Sequence, residues 1–184
     1  MTGPKNVAFR GIQDCKVAKL TLDSTGSLTY DSLVDIPIKN LTFKPNVETY
    51  TAKYDDLEQE VDTVIQSYEV SGGLGRVSLD ALALMLGTTV QASGTGATEK
   101  QTMSESFTNN PNYFKLETQS TRVWGSDGNA GDIHNVFYKC KITDMDYSIS
   151  DDFAVVNFKA KAVRTVNSGK IKDTIINKTA TNIA

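Results

Sequence analysis

Glu48-Thr49-Tyr50-Thr51-Ala52-Lys53-Tyr54, running into the acidic stretch Asp55-Asp56-Leu57-Glu58-Gln59-Glu60-Val61-Asp62, is the part of the chain whose reading decides the fold. Threonine and tyrosine recur through the first half, a composition that suits a pleated, half-exposed strand. Val64-Ile65-Gln66-Ser67-Tyr68-Glu69-Val70 follows as an extended return. Together they predict a long β-hairpin loop centred on residues 47–62. Two strands with so little to bury are marginal in water on their own. The arm therefore calls for a partner.

Just beyond a Gly-rich turn lies the block Ser78-Leu79-Asp80-Ala81-Leu82-Ala83-Leu84-Met85-Leu86-Gly87. It predicts one helix over about 78–86. The Ser78 hydroxyl can accept an orphan amide proton of the first turn, and Asp80 suits the positive helix end. Gly87 fits as the C-terminal stop. Leu79, Leu82, Met85 and Leu86 share a face and should cover a sheet.

The flanking sequence is β in character. Cys15–Leu22 alternates at period two, Asp23–Ser27 is a turn cluster, and Val34-Asp35-Ile36-Pro37-Ile38 alternates again, with Pro37 pointing to an edge or a bulge. Leu41–Lys44 continues extended until Pro45, which is expected to break it. Downstream, Tyr113–Gln119 starts a strand toward Trp124, residues 125–132 form a loop, and Val136–Ile142 and Phe153–Val163 are the clearest strands. In the last of these Ala154, Val156, Phe158, Ala160 and Ala162 share one face while Asn157, Lys159 and Lys161 share the other, the signature of a sheet wet on one side. Residues 1–10 read as an N-terminal arm and the small, polar 91–111 stretch as a flexible insertion. Residues 167–184 read as a C-terminal arm, either a final strand that pairs only in an assembly or a disordered tail.

At 184 residues the chain is expected to form one domain, 1–184. Its net charge of −3 offers no basic face for tight nucleic-acid binding. No apolar run reaches the ~18 residues of a membrane span, so membrane insertion is not expected. The N-terminus has no hydrophobic leader region, so export by a signal peptide is not expected either. Cys15 and Cys140 lack metal-ligand spacing and read as buried thiols, as in a reducing cytoplasm.

His134 is the only histidine, and it reads as a loop or strand-edge residue. One histidine leaves little material for a zinc site or a catalytic relay. Gly94 and Gly96 lack the Lys-Ser/Thr of a phosphate loop. Asp127-Gly128-Asn129 reads as a turn before it reads as a calcium ligand set. No pair of acids stands out for catalysis. The expectation is therefore no enzyme, no metal and no cofactor.

The acidic run has another physical use. Glu58, Glu60 and Asp62 alternate, so in a regular extended arm they point one way; repeated around a ring they would line it with negative charge that repels nucleic-acid backbone. The plainer reading is a solvated hairpin tip.

The order of these elements resembles the major tail tube proteins of long-tailed bacteriophages. The likeness runs through Cys15–Leu22 with its Gly26 turn, the Val34–Ile38 step into Leu41–Pro45, the Tyr50–Asp62 arm, the 78–87 helix block, Phe137–Lys141 and Phe153–Val163, about residues 8 to 165 in all. It implies a mainly β fold: a β-sandwich or barrel of two packed antiparallel sheets, flanked by one α-helix and carrying the long hairpin. It further implies a virion structural protein, made in the host bacterial cytoplasm, that self-assembles as stacked hexameric rings into a conduit for DNA ejection. Tape-measure, tail terminator and distal tail proteins would be its partners, and DNA would pass without specific binding. On this resemblance Tyr50, Tyr54, Asp55 and Asp56 are inter-ring candidates, and Glu58, Glu60 and Asp62 are lumen candidates. The alternative is a β-sandwich carbohydrate-binding or adhesin module that uses Tyr113, Trp124 and the 125–132 loop as a sugar platform.

Overall fold

The computed structural model describes residues 7–54, 57–125, 131–149 and 155–183; within these, side chains are described except at 7–9, 52–54, 57–60 and 122–125. In chain order the elements are β1 (Val7–Ser24), β2 (Ser27–Tyr30), β3 (Val34–Asp35), β4 (Ile38–Tyr54), β5 (Leu57–Leu74), α1 (Leu79–Leu86), β6 (Val90–Ser93), β7 (Lys100–Met103), β8 (Phe114–Gly125), β9 (Asp132–Ser148), β10 (Val155–Ala162) and β11 (Lys172–Asn177).

Strands pair in the order β2-β1-β8-β9-β10-β5-β4, with β3 added to β1 and β11 to β9, and every pairing is antiparallel. The long β9 joins two layers: its first half pairs with β8 and β11, its second half with β10. The resulting sandwich has Cys15, Val17, Phe114 and Leu116 on one side of the core and Val70, Val156, Phe158 and Ala160 on the other, with Phe137 and Cys140 between them. Alternation sets this arrangement. Along β10, Val156, Phe158, Ala160 and Ala162 are buried while Val155, Asn157, Lys159 and Lys161 are exposed.

The Val34–Ile38 step stitches the two ends of this layered sheet together. Ile36 donates its N–H to the Cys15 carbonyl of β1, and the Pro37 carbonyl accepts from Gly75 at the end of β5. Pro37 lies between β3 and β4, where its missing N–H leaves no ladder bond unmade.

Helix α1 closes one end of the core. The Ser78 hydroxyl accepts from the Ala81 N–H at 3.4 Å, and Gly87 ends the helix at φ 73°, a left-handed conformation. The buried stripe is Ala81, Leu82, Ala83 and Met85; Leu79 and Leu86, expected on that face, are only half-buried. Eight residues are about two turns, so a small rotation about the axis is enough to select the smaller alanines for close approach.

Several expectations are corrected. Residues 7–10 of the expected N-terminal arm belong to β1 and pair with β8, while 1–6 lie outside the described residues. Pro45 does not break its strand: β4 runs through it, with Pro45 opposite Tyr68. The reason is position. β4 is the last strand in the order, and an edge strand tolerates proline where its N–H would face outward. The 91–111 stretch holds an exposed hairpin, β6–β7, closed by a 3-10 turn at Gly96–Thr98. Within 167–184, β11 pairs with β9 of the same chain, so its pairing needs no assembly.

Candidate functional site: the hairpin arm and the buried histidine cluster

β4 and β5 pair from Ile38↔Leu74 to Tyr54↔Leu57. Only the base, up to about Tyr68, is held by β10, which ends at Ala162↔Tyr68. Beyond it the two strands run on as an arm with no further sheet neighbour among the described residues. The ladder skips a residue three times, between Ile38 and Asn40, Asn46 and Val47, and Ala52 and Lys53. Such bulges sharpen the twist of a hairpin.

Cross-strand partners share a face, so the register sorts the arm's residues. Val47↔Ile65, Thr49↔Thr63 and Thr51↔Val61 lie on one face, and Glu48↔Val64 and Tyr50↔Asp62 on the other. The first face is β-branched and open: Val47 is 47%, Ile65 43% and Val61 63% exposed. On the second face Tyr50 is 53% exposed, and Gln66 donates to Glu48 at 2.9 Å.

Tyr50, an inter-ring candidate, and Asp62, a lumen candidate, are direct partners on one face. They cannot serve opposite surfaces of the arm. The register also moves from Ala52↔Glu60 to Lys53↔Glu58, leaving Gln59 as an extra residue. The strict alternation that grouped Glu58, Glu60 and Asp62 is interrupted there. Asp55 and Asp56 lie outside the described residues, as do the side chains of Tyr54, Glu58 and Glu60.

The wet face of the β4-β5-β10-β9 layer is of mixed sign. Glu69 lies between Lys44 and Lys161, and Lys159 pairs with Asp144 at 3.1 Å. A groove of about 500 Å³ on this face is floored by Gly72 and Gly73 and flanked by Asn40, Asn157, Asp144 and Asp146. The two aromatics of the alternative sugar platform do not come together. Tyr113 precedes β8 and Trp124 lies near its far end, on the order of 30 Å away at ~3.3 Å per residue.

The second constellation was missed by the sequence reading. His134 is not a loop or strand-edge residue; it is buried in β9, which is paired on both sides. Its Nδ1 lies 3.1 Å from Glu117 Oε1 and its Nε2 3.0 Å from Asp132 Oδ2. Lys115 donates to the other Glu117 oxygen at 3.1 Å. Asp132, fully buried, also accepts from Gln119 Nε2, from Asn177 Nδ2 at 2.8 Å and from the Thr181 N–H at 2.8 Å.

Burial alone would lower the His134 pKa, but the hydrogen bonds and charges of Glu117 and Asp132 outweigh it and raise it above the ordinary value. Burial pushes Asp132 upward, yet its four donors outweigh that and bring it down to about 2. An imidazolium can donate to both carboxylates; a neutral ring could donate to only one. Both ring nitrogens are engaged, and the three groups do not converge on one point, an arrangement suited to fastening rather than to base catalysis or metal ligation.

One signal could have found this cluster. In Asp132-Ile133-His134 alternation places Asp132 and His134 on one face, and Glu117-Leu116-Lys115 and Gln119 offer a matching polar face on the preceding strand. Compared with known proteins, the chain matches no family model and no curated protein sequence.

Proposed function

We propose that this chain is a structural subunit that builds a bacteriophage tail tube, joining copies of itself into stacked hexameric rings through which DNA passes during ejection. The observation that carries the reading is the β4–β5 arm. Its Val47, Val61 and Ile65 face stands open to solvent on a two-stranded ribbon that has too little to bury by itself. A second copy of the chain covers that face in this reading, and closure of a ring removes the free edge of β4 as well. The sandwich with one capping helix is the architecture that the resemblance to tail tube proteins implies. Tyr50 and Asp62 go together to a single contact, and the tape-measure, terminator and distal tail proteins meet the tube's interior and ends.

Electron microscopy and size-exclusion chromatography of the purified protein test this directly. Rings or tubes are expected at high protein concentration, and Val61→Glu should abolish them without unfolding the monomer. A wild-type chain that stays monomeric at every concentration would sink the proposal.

A further inference from the structure

The segment Lys178–Ile183 crosses the outer face of β8 and β9 as a strap, and the way it is held is specific to peptide main chain. Thr181 is gripped at both backbone groups: its N–H donates to Asp132 Oδ2 at 2.8 Å, and its carbonyl accepts from Gln119 Nε2 at 3.0 Å. Gln119 also donates to Asp132, so the two reading groups are locked to one another. His134, fixed by Glu117, holds the same Asp132 oxygen from the other side.

The approach path is shaped too. A Cβ on Gly131 would collide with the carbonyl oxygens of Asn177 and Lys178, so the glycine leaves room for a passing backbone. At the far end Lys16 Nζ lies 3.5 Å from the Ile183 carbonyl, and Ile183 is 4% exposed.

The gripping side chains, Lys16, Gln119 and Asp132, stand on strands, and almost everything gripped is main chain. The strap's own side chains, Lys178 through Asn182, are exposed; Ile183 alone is buried. With one apolar anchor the strap belongs to the low-stability end of the fold, where local opening is least costly.

We propose that Asp132, Gln119 and Gly131 form an acceptor site for an extended peptide main chain, that the chain's own strap is its resident occupant, and that the same segment of a second copy is its ligand in trans. The argument for that ligand is the occupant itself: Thr181-Asn182-Ile183 already shows the fit, and exchange of an identical element between copies makes no new kind of contact. The inference does not rest on the tube reading and stands in a dimer as well as in a ring.

The test uses the full chain carrying Ile183→Glu, which removes the anchor of the resident strap, and a fluorescein-labelled peptide of residues 177–183 with its native isoleucine. Fluorescence anisotropy should show the peptide binding this variant at least about tenfold more tightly than wild type, whose tethered strap competes at an effective concentration on the order of millimolar. Adding Gln119→Met should weaken the peptide about fivefold, the loss of one hydrogen bond to the Thr181 carbonyl. Absence of saturable binding to an Ile183→Glu protein with a native circular dichroism spectrum overturns the proposal, as does binding unaffected by Gln119→Met. Wild-type protein gives an independent reading that needs no variant. Excess unlabelled peptide should speed hydrogen exchange at the Thr181 amide of the protein, and exchange unchanged by peptide overturns the proposal equally.

Discussion

Tyr50 and Asp62 stand opposite one another across the β4–β5 arm and present themselves on the same face. The β-branched residues Val47, Val61 and Ile65 occupy the reverse face. The arm is therefore two-sided, with a β-branched side of valine, isoleucine and threonine and a side that carries Glu48, Tyr50, Asp62 and Val64. Its contribution to the stability of a single chain is small, because Val47, Val61 and Ile65 stand open among the described residues.

Val61→Glu should consequently leave the monomer's denaturant midpoint nearly unchanged, within about 0.5 kcal/mol, since exposed substitutions seldom do more. Self-association should fall sharply. Urea titration and sedimentation velocity on the same preparation separate the two effects, and a large loss of monomer stability would show that the face is covered in cis.

Pro45 interrupts the free edge of β4 with a residue that has no N–H to offer an incoming strand. Pro45→Thr should restore a continuous edge. The expected result is faster concentration-dependent light scattering from a monomer of similar melting temperature. Slower or unchanged scattering would remove the proline from any gatekeeping role.

Gly87 holds φ 73° where α1 ends, and a Cβ there would run into the Asn110 carbonyl. Both the conformation and the crowding oppose a side chain. Gly87→Ala should destabilise the protein by about 1 kcal/mol or more, read from thermal or chemical denaturation. A neutral result would mean that the 110–112 segment can move away freely.

The histidine cluster gives stability a definite pH window. His134 has its pKa raised in the folded chain, so its contribution is complete below the unfolded value near 6.5 and fades as pH climbs through the folded value. Asp132 has its pKa lowered to about 2, so its contribution is present above about 4 and fades as pH falls toward 2. The surrounding charges are Lys115 and Glu117 on β8, Asp14 and Lys16 on β1 and Asp173 on β11. The stability gap between wild type and His134→Gln should thus be widest between about pH 4 and 6.5 and narrow on the alkaline side. Urea midpoints measured across that range check it; a gap that widens with rising pH would show that His134 is held neutral.

Much of this fold was legible because alternation is a local signal. Val156, Phe158 and Ala160 announce a buried face within one strand, and Ser78 and Gly87 bracket the helix with chemistry that acts within four residues. Pro45 misled because its tolerance depends on which strand lies outermost, a fact that belongs to the whole sheet. His134 was only partly readable for the same reason: alternation sets it beside Asp132, but Glu117 reaches it, and Thr181 reaches Asp132, only after β8, β9 and the strap have been brought together. Bulges lie at the same boundary. Gln59 looks like any other strand residue until the register across from Ala52 and Lys53 is known.

The pairing pattern also fixes an order of events as the chain leaves the ribosome. β4 and β5 are near neighbours in sequence, so the arm's ladder can close early, whereas Val17 of β1 must wait for Leu116 of β8. Non-local pairing of that kind is slow. The arm's register can thus be set while the sandwich is still open, and its ladder gains lasting support only when β10 arrives to hold its base.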